Sequence, residues 1–179
     1  MSPGEEGDAP AGRDKPRAVF ITDFVHLGVA FEELVSVILD PELAWLRRLD
    51  DGDEEAGGWP GRAPDAEGTA SAVVRVGIGP LATQRVAMRA GPARRHGDSV
   101  IVPLSWEPEK FERLLPKLEA DLEMSNLDGG YSRLSISGRY RVPLDGLGYN
   151  LDRVALHRVA EASLRRFLHD VELALTAGR

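Results

Sequence analysis

Residues 118–140 read LEADLEMSNLDGGYSRLSISGRY, and their period is two on both sides of a glycine pair. Leu118, Ala120, Leu122 and Met124 alternate with Glu119, Asp121 and Glu123; Leu134, Ile136, Gly138 and Tyr140 alternate with serines, Arg133 and Arg139. Successive side chains of a strand point to opposite faces, so this is an antiparallel hairpin with one apolar and one wet face. The two apolar sets share a face only if the numbers of paired residues sum to an even value. The loop is then Asp128-Gly129-Gly130, whose glycines supply the positive φ that a short hairpin loop requires. Leu127 is expected opposite Tyr131, Met124 opposite Leu134, Leu122 opposite Ile136, and Glu119 opposite Arg139 within ion-pair reach. A slip by one residue would send one apolar set into water, at about 1.5–3 kcal/mol per large side chain.

The same parity extends upstream. Ala70, Ala72, Val74, Val76 and Ile78 share a face, Gly79-Pro80 turns the chain, and Ala82, Gln84, Val86, Met88 and Ala90 continue that face. After the turn GPARRHGD (91–98) come Val100, Val102, Leu104 and Trp106. Residues 107–116 lie between strands, with room for a helical turn around Phe111. Downstream, no Gly or Pro interrupts 150–174, and Leu, Ala, Arg and Glu dominate, all good helix formers. This predicts one helix of about 25 residues, roughly 40 Å long, with Leu151, Ala155, Val159 and Ala162 toward the sheet. At the other end, RAVFITDFVHL (17–27) is apolar on both parities, as in a strand covered on both faces. Phe31, Leu34, Val35 and Ile38 recur at helical spacing. Asp40-Pro41 ends that helix and opens a second holding Leu43, Trp45, Leu46 and Leu49, with Asp as cap and Pro in the first turn. The fold class is therefore α+β: a curved antiparallel sheet wrapped around a long C-terminal helix, with two short helices after the first strand.

FEELVSVILDPE (31–42) resembles the opening helices of the SRPBCC (START-like, helix-grip) superfamily, where a strand, a short apolar helix and Asp-Pro often follow one another. The end is similar too: LSISGRY (134–140) leads through Pro143, Gly146, Leu147 and Gly148 into the last helix. The resemblance spans roughly residues 17–177 and rests on element order more than on any invariant residue. It implies a sheet gripping the terminal helix around an apolar cavity, in a superfamily of lipid and hormone binders, polyketide cyclases, ubiquinone-binding proteins and ring-dioxygenase domains. Members often have seven strands. Six are counted here, so the sheet lacks an edge strand or holds another within 56–68.

Composition narrows the field. At 179 residues, 42% hydrophobic and 28% charged, the chain is of one-domain size, large enough for a real core. Residues 17–177 are expected to form that domain behind a disordered, Pro/Gly-rich tail at 1–16, which is no secretory signal. No apolar run reaches the roughly 18–20 residues of a membrane span. There is no cysteine, hence no disulfide and no thiolate chemistry. A net charge of −7 argues against nucleic-acid binding. Nineteen arginines against three lysines, with abundant Ala and Gly, fit a high-GC bacterium, and a cytoplasmic location is the default expectation. Residues 50–68, with five carboxylates between Asp50 and Glu55, read as a solvated loop; the alternative is a gate over a pocket mouth, with Trp59 packing down.

The residues that carry chemistry are few. His26, His96, His157 and His169 show no metal-ligand spacing, and neither metal nor cofactor is expected. No GxSxG elbow occurs, and Gly77-Ile78-Gly79 leads into Pro80 and a strand, as a hairpin rather than a phosphate cradle. Asp23 is a candidate general base if it faces inward; if Phe20, Thr22, Phe24 and His26 face inward, it meets solvent or an arginine. His157, where helix and cavity should meet, is either a pocket acid/base or a structural histidine. Arg85, Arg89, Arg94 and Arg95 are expected on a solvated outer face, paired with Glu119, Asp121 and Glu123; the alternative is a patch for an anionic partner.

Two functional classes follow. One is a carrier or sensor of a small hydrophobic or amphipathic molecule, lodged among Val76, Val86, Met88, Leu104, Trp106, Leu122, Met124, Leu134, Ile136 and Tyr140, unless these pack solid against the last helix. The other is a cyclase- or dehydratase-like enzyme acting on an apolar or polyketide-type substrate, with Asp23, Tyr140 or His157 moving protons. A protein-binding module is a third, weaker class. The small number of ionisable groups on the inward face favours binding.

Overall fold

The computed structural model describes residues 18–49, 64–77, 83–108, 117–141 and 153–177. The expectations for the 1–16 tail, the Trp59 gate, the Gly79-Pro80 turn, the turn around Phe111 and the Pro143–Gly148 connection lie outside these residues.

Seven strands form one antiparallel sheet: β1 (Ala18–Leu27), β2 (Ala70–Gly77), β3 (Thr83–Ala90), β4 (Arg94–His96), β5 (Ser99–Pro108), β6 (Lys117–Leu127) and β7 (Tyr131–Arg141). The order across it is β1-β7-β6-β5-β3-β2, with β4 also paired to β5. The sheet is open, with β1 and β2 at its edges. Among the described residues there are three helices: α1 (Phe31–Ile38), α2 (Ala44–Leu49) and α3 (Arg153–Thr176). α3 packs against β1, β7 and β2, touching both edges of the sheet, and against α1 and α2. A curved antiparallel sheet closed around a terminal helix is the helix-grip arrangement.

The β6–β7 register matches the parity argument: Leu127 faces Tyr131, Met124 faces Leu134, Leu122 faces Ile136 and Glu119 faces Arg139. Gly129 and Gly130 take φ of 82° and 84° in the loop. Glu119 and Arg139 lie on the outer face but form no ion pair. Both are exposed, so holding two long side chains together gains little against their entropy.

β1 settles its parity through packing. Ile21 and Leu27 are buried and Val19 and Val25 partly so, whereas Phe20 and Phe24 are 63% and 58% exposed. Odd residues therefore face the helix, and the expectation of a strand covered on both faces fails: the outer side of this edge strand meets water.

Of 56–68, residues 64–68 are described and form a turn; the rest lies outside the described residues. In that turn, Asp65 Oδ1 accepts from the N–H groups of Glu67 (2.9 Å) and Thr69 (3.0 Å), leading the chain into β2. The extra strand is β4, inside the segment expected to be a turn. β3 and β4 are two halves of one arm facing β5. Ala90 pairs with Leu104 and Gly91 N–H donates to Pro103 O at 2.8 Å, but Arg94 pairs with Ile101. Four steps on one side match three on the other, so Gly91-Pro92-Ala93 carries one extra residue, a bulge. Proline, which has no N–H to give a ladder, is tolerated at such a position.

The bulge switches parity. Arg95 now lies opposite Val100, on the concave face. There its Nη1 and Nη2 donate to Glu32 Oε2 and Oε1 of α1 at 3.1 and 2.6 Å, and its Cζ sits 5.4 Å from the Phe31 ring centroid. Arg95 thus leaves the expected outer-face patch and ties the β4–β5 hairpin to the first turn of α1. The bonded guanidinium holds the Glu32 carboxyl below its ordinary value of 4.5. A lowered folded-state value means stabilisation present above the unfolded value and lost as pH falls through the folded one. Glu32→Gln should therefore melt below the wild type at pH 7, with the gap closing as the pH drops below 4.5. A gap that does not change between pH 7 and pH 3 in melting scans would show that this contact is not its source.

Asp40 caps α2 as expected, its Oδ2 accepting from Ala44 N–H at 3.4 Å, but Pro41 does not enter the first turn of the helix. Asp40 Oδ1 accepts from Glu42 N–H at 3.0 Å and Asp40 O from Leu43 N–H at 2.8 Å, so Pro41 sits in a turn and α2 begins only at Ala44. Leu43 precedes the helix with φ 49°, a left-handed strain held by its burial in the core. α3 is one continuous helix of 24 residues, about 36 Å long. Its buried stripe is Leu164, Phe167, Leu168, Val171 and Leu175. Ala162 is exposed, contrary to expectation; Leu151 and the side chains of Ala155 and Val159 lie outside the described residues. Large side chains lose more apolar area to burial than alanines do, and they set which face turns inward.

Candidate functional site

The registers arrange the concave face in rungs running across the strands. One rung holds Val25, Leu134, Met124 and Val100, and the next holds Asp23, Ile136, Leu122 and Val102. Then come Ile21, Gly138, Ala120, Leu104, Ala90 and Ala70, and after them Val19, Tyr140, Leu118, Trp106, Met88 and Ala72. Val86 and Val74 follow at the β2–β3 end. The ligand-binding candidates Val86, Met88, Leu104, Trp106, Leu122, Met124, Leu134, Ile136 and Tyr140 therefore share one face and one buried cluster. Val76 pairs with Gln84 in β2, and its side chain lies outside the described residues.

Burial is uneven along these rungs. Leu122, Met124, Leu134 and Ile136 are 0% exposed, whereas Trp106 and Ala120 keep 7%. Leu104, Tyr140 and Ile21 are nearly as closed, Met88 and Ala90 beside them fully so, and the partly exposed members of these rungs are Val19, Asp23 and Val25 at the β1 edge. Phe167 of α3 meets Trp106 edge-on, with ring centroids 5.7 Å apart and planes at 71°. Gly138 sits where β6 and β7 press together: a Cβ there would lie 2.6 Å from both Ala120 Cβ and Glu119 O. The middle rung is thus low, with Gly138, Ala120, Ala90 and Ala70 between taller residues.

The proton-transfer candidates do not converge. Asp23 does face inward, but at the β1–α3 seam: its side chain is 19% exposed, and its Oδ2 accepts from Arg165 Nε at 3.3 Å. Its Oδ1 accepts from Phe24 N–H at 2.9 Å. Tyr140 stands two rungs away, four residues along the strands, or about 13 Å. His157 lies on α3, with its side chain outside the described residues. His26 stacks near Phe24 on the outer face, 5.3 Å between centroids, and His169 Nδ1 lies 3.3 Å from Glu172 Oε2. Among the described residues, no three His, Asp or Glu side chains gather to hold a metal ion.

On the outer face, Arg85 and Arg89 make no ion pair with Glu119, Asp121 or Glu123. β5 intervenes between β3 and β6, which sets those strands about 10 Å apart. Two polar features escaped the sequence reading. Ser132, on the inward parity, is buried and donates to Val29 O at 2.7 Å, fixing the chain after β1. The indole N–H of Trp45 is buried in the core without an acceptor. No local pattern marks either one, since both depend on contacts distant in sequence.

No protein-family model and no curated protein matches this sequence. The fold does match solved structures. The Zhui aromatase/cyclase from Streptomyces sp. R1128 is similar over 90% of this chain and 99% of its own, with a TM-score of 0.57 and 13% identity. Norcoclaurine synthase from Thalictrum flavum is similar over 97% and 99%, with a TM-score of 0.55 and 8% identity. The lipid transfer and protein localization domain of human StarD13 covers 88% of this chain and 77% of its own, with a TM-score of 0.51 and 9% identity. The fold is of the SRPBCC, START-like type. No helix among the described residues is long and apolar enough to cross a membrane.

Proposed function

We propose that this protein binds a small hydrophobic or amphipathic molecule between the concave sheet face and α3, as a carrier or sensor. The observation that carries this reading is the apolar concave face itself: six strands turn apolar residues to one side of the sheet, with the low rung of Gly138, Ala120, Ala90 and Ala70 between taller residues. Apolar walls with few polar groups suit such a ligand. The likeness to a lipid transfer domain supports it at the level of fold. The ligand lining proposed is the set named from the strand parity, now including Ile21, Leu118, Ala120 and Phe167. A bacterial, cytoplasmic setting is part of the same proposal and rests on composition alone.

A second reading is a cyclase- or dehydratase-like enzyme. It is favoured by the Tyr140 phenol on the apolar concave face and by the likeness to an aromatase/cyclase and to norcoclaurine synthase. One experiment serves both. Protein purified from its own host is examined by native mass spectrometry, and any released molecule is returned to fresh protein. A bound apolar adduct recovered unchanged is expected; conversion of the adduct would favour the enzyme. An apo mass throughout, with no stabilisation by a panel of acyl and aromatic compounds, would sink both.

A further inference from the structure

We propose that the free edge of β1 is the contact through which two copies of this chain form a homodimer, β1 pairing antiparallel with β1 of the second copy so that Phe20 of each lies across from Phe24 of the other. This contact lies at the rim and on the outer side of the sheet, and it does not depend on the ligand reading.

β1 pairs with β7 on one side, and no described strand pairs with it on the other. Such an edge is a row of unpaired N–H and C=O groups, which chains usually blunt with lysine, proline, a bulge or an inward charge. β1 (AVFITDFVHL) holds no Lys, Arg or Pro, and its ladder with β7 runs unbroken from Ala18 to Leu27. Its outer face carries Phe20 and Phe24, 63% and 58% exposed, with Thr22 between them. Among the described residues, no other two large exposed apolar side chains share an element; Tyr131 is on β7 and Leu173 on α3.

The backbone selects the register. In an antiparallel ladder, residues that exchange both hydrogen bonds with the partner alternate with residues whose N–H and C=O point away from it. The Phe24 N–H donates to Asp23 Oδ1 at 2.9 Å, so Phe24 is of the second kind, and Phe20, Thr22 and His26 with it. These residues turn their backbone groups to the free edge and their side chains to the outer face. A copy related by a two-fold axis then meets like with like: Thr22 faces Thr22 of the second copy, flanked on either side by a Phe20–Phe24 pair. A slip by one residue sets outer side chains against inner ones, and a slip by two breaks both aromatic pairs. Asp23, the one carboxylate of the strand, points inward, where Arg165 Nε donates to its Oδ2 at 3.3 Å. On pairing, Asp23 Oδ1 yields the Phe24 N–H to the Phe20 carbonyl of the second copy. The four rings bring about 400–500 Å² of exposed area, and two strand edges raise the interface to about 1,000 Å², the low end for a specific contact.

Sedimentation equilibrium of the full chain over a concentration series tests the contact. A monomer passing into a dimer is expected, with a dissociation constant on the order of 10–100 μM. Phe24→Lys should weaken the dimer about tenfold or more. It should still melt like the wild type in dilute solution, because Phe24 is exposed and lies outside the core cluster. The register is read separately, and the absence of cysteine from the chain makes this direct. Thr22→Cys is expected to give a disulfide-linked dimer on mild oxidation, since the two Cα atoms would stand about 5.5 Å apart across the axis. His26→Cys, on the same face but four positions from the axis, should cross-link far more slowly. A monomer at every concentration, growth beyond a dimer, or a dimer undiminished in Phe24→Lys overturns the proposal. So does a Thr22→Cys protein that fails to cross-link, or one that does so no faster than His26→Cys.

Discussion

A chain ending at Val159 is expected to lose its cooperative melting transition altogether. The cut removes Leu164, Phe167, Leu168, Val171 and Leu175, the buried stripe of the helix that packs on the sheet. At about 1.5–3 kcal/mol per large buried side chain, these five represent about 8–15 kcal/mol. That is comparable to the whole stability of an ordinary domain, about 5–15 kcal/mol. Arg48 Nη1, which donates to Ala174 O at 2.6 Å, would lose its acceptor as well. Phe167→Ala alone should cost about 3–5 kcal/mol, because it also leaves Trp106 without its edge-on partner. Denaturant melts followed by tryptophan fluorescence would measure both. A soluble, cooperatively melting truncated protein would show that the sheet holds a core of its own.

Gly138→Val should be the most damaging single substitution in the sheet, by about 3 kcal/mol. The position requires glycine for space, since its φ is not among the positive ones. A Cβ would meet Glu119 O at 2.6 Å and Ala120 Cα at 2.9 Å, both backbone atoms that cannot rotate aside. Ala120→Gly should not rescue it, because the carbonyl oxygen would remain in the way. A Gly138→Val protein within 1 kcal/mol of the wild type in urea melts would mean that β6 and β7 separate more easily than their spacing implies.

Where one face is wet and the other dry, the sequence was readable to the residue. The alternation of Glu119 to Met124 against Arg133 to Tyr140 determined the hairpin register, since any other pairing exposes leucines. β1 defeated the same logic. As an edge strand with Phe20 and Phe24 exposed outside and Ile21 and Leu27 buried inside, it is apolar on both parities, and only contact with α3 distinguishes them. β4 escaped because a bulge breaks the period at Gly91-Pro92-Ala93, and three exposed residues carry no apolar signal. On α3, Ala162 turns outward where it was expected inward, because burial follows the large residues Leu164, Phe167, Leu168, Val171 and Leu175. For the candidate site, parity placed its described residues on one face but not in rungs, which need the register of every strand. The Asp23–Arg165 contact joins residues 142 positions apart, beyond the reach of local pattern.

The bulge between β3 and β4 decides which of two neighbouring arginines meets α1. Were Gly91-Pro92-Ala93 to run unbulged at the same length, Arg94 would lie opposite Val100 and Arg95 opposite Ser99, on the other face. The extra residue moves each by one step and brings Arg95 to Glu32. A chain with one residue fewer in this stretch would straighten the arm and keep both pairings, so the arm can lose its kink without losing its hold on a helix more than sixty positions earlier in the sequence.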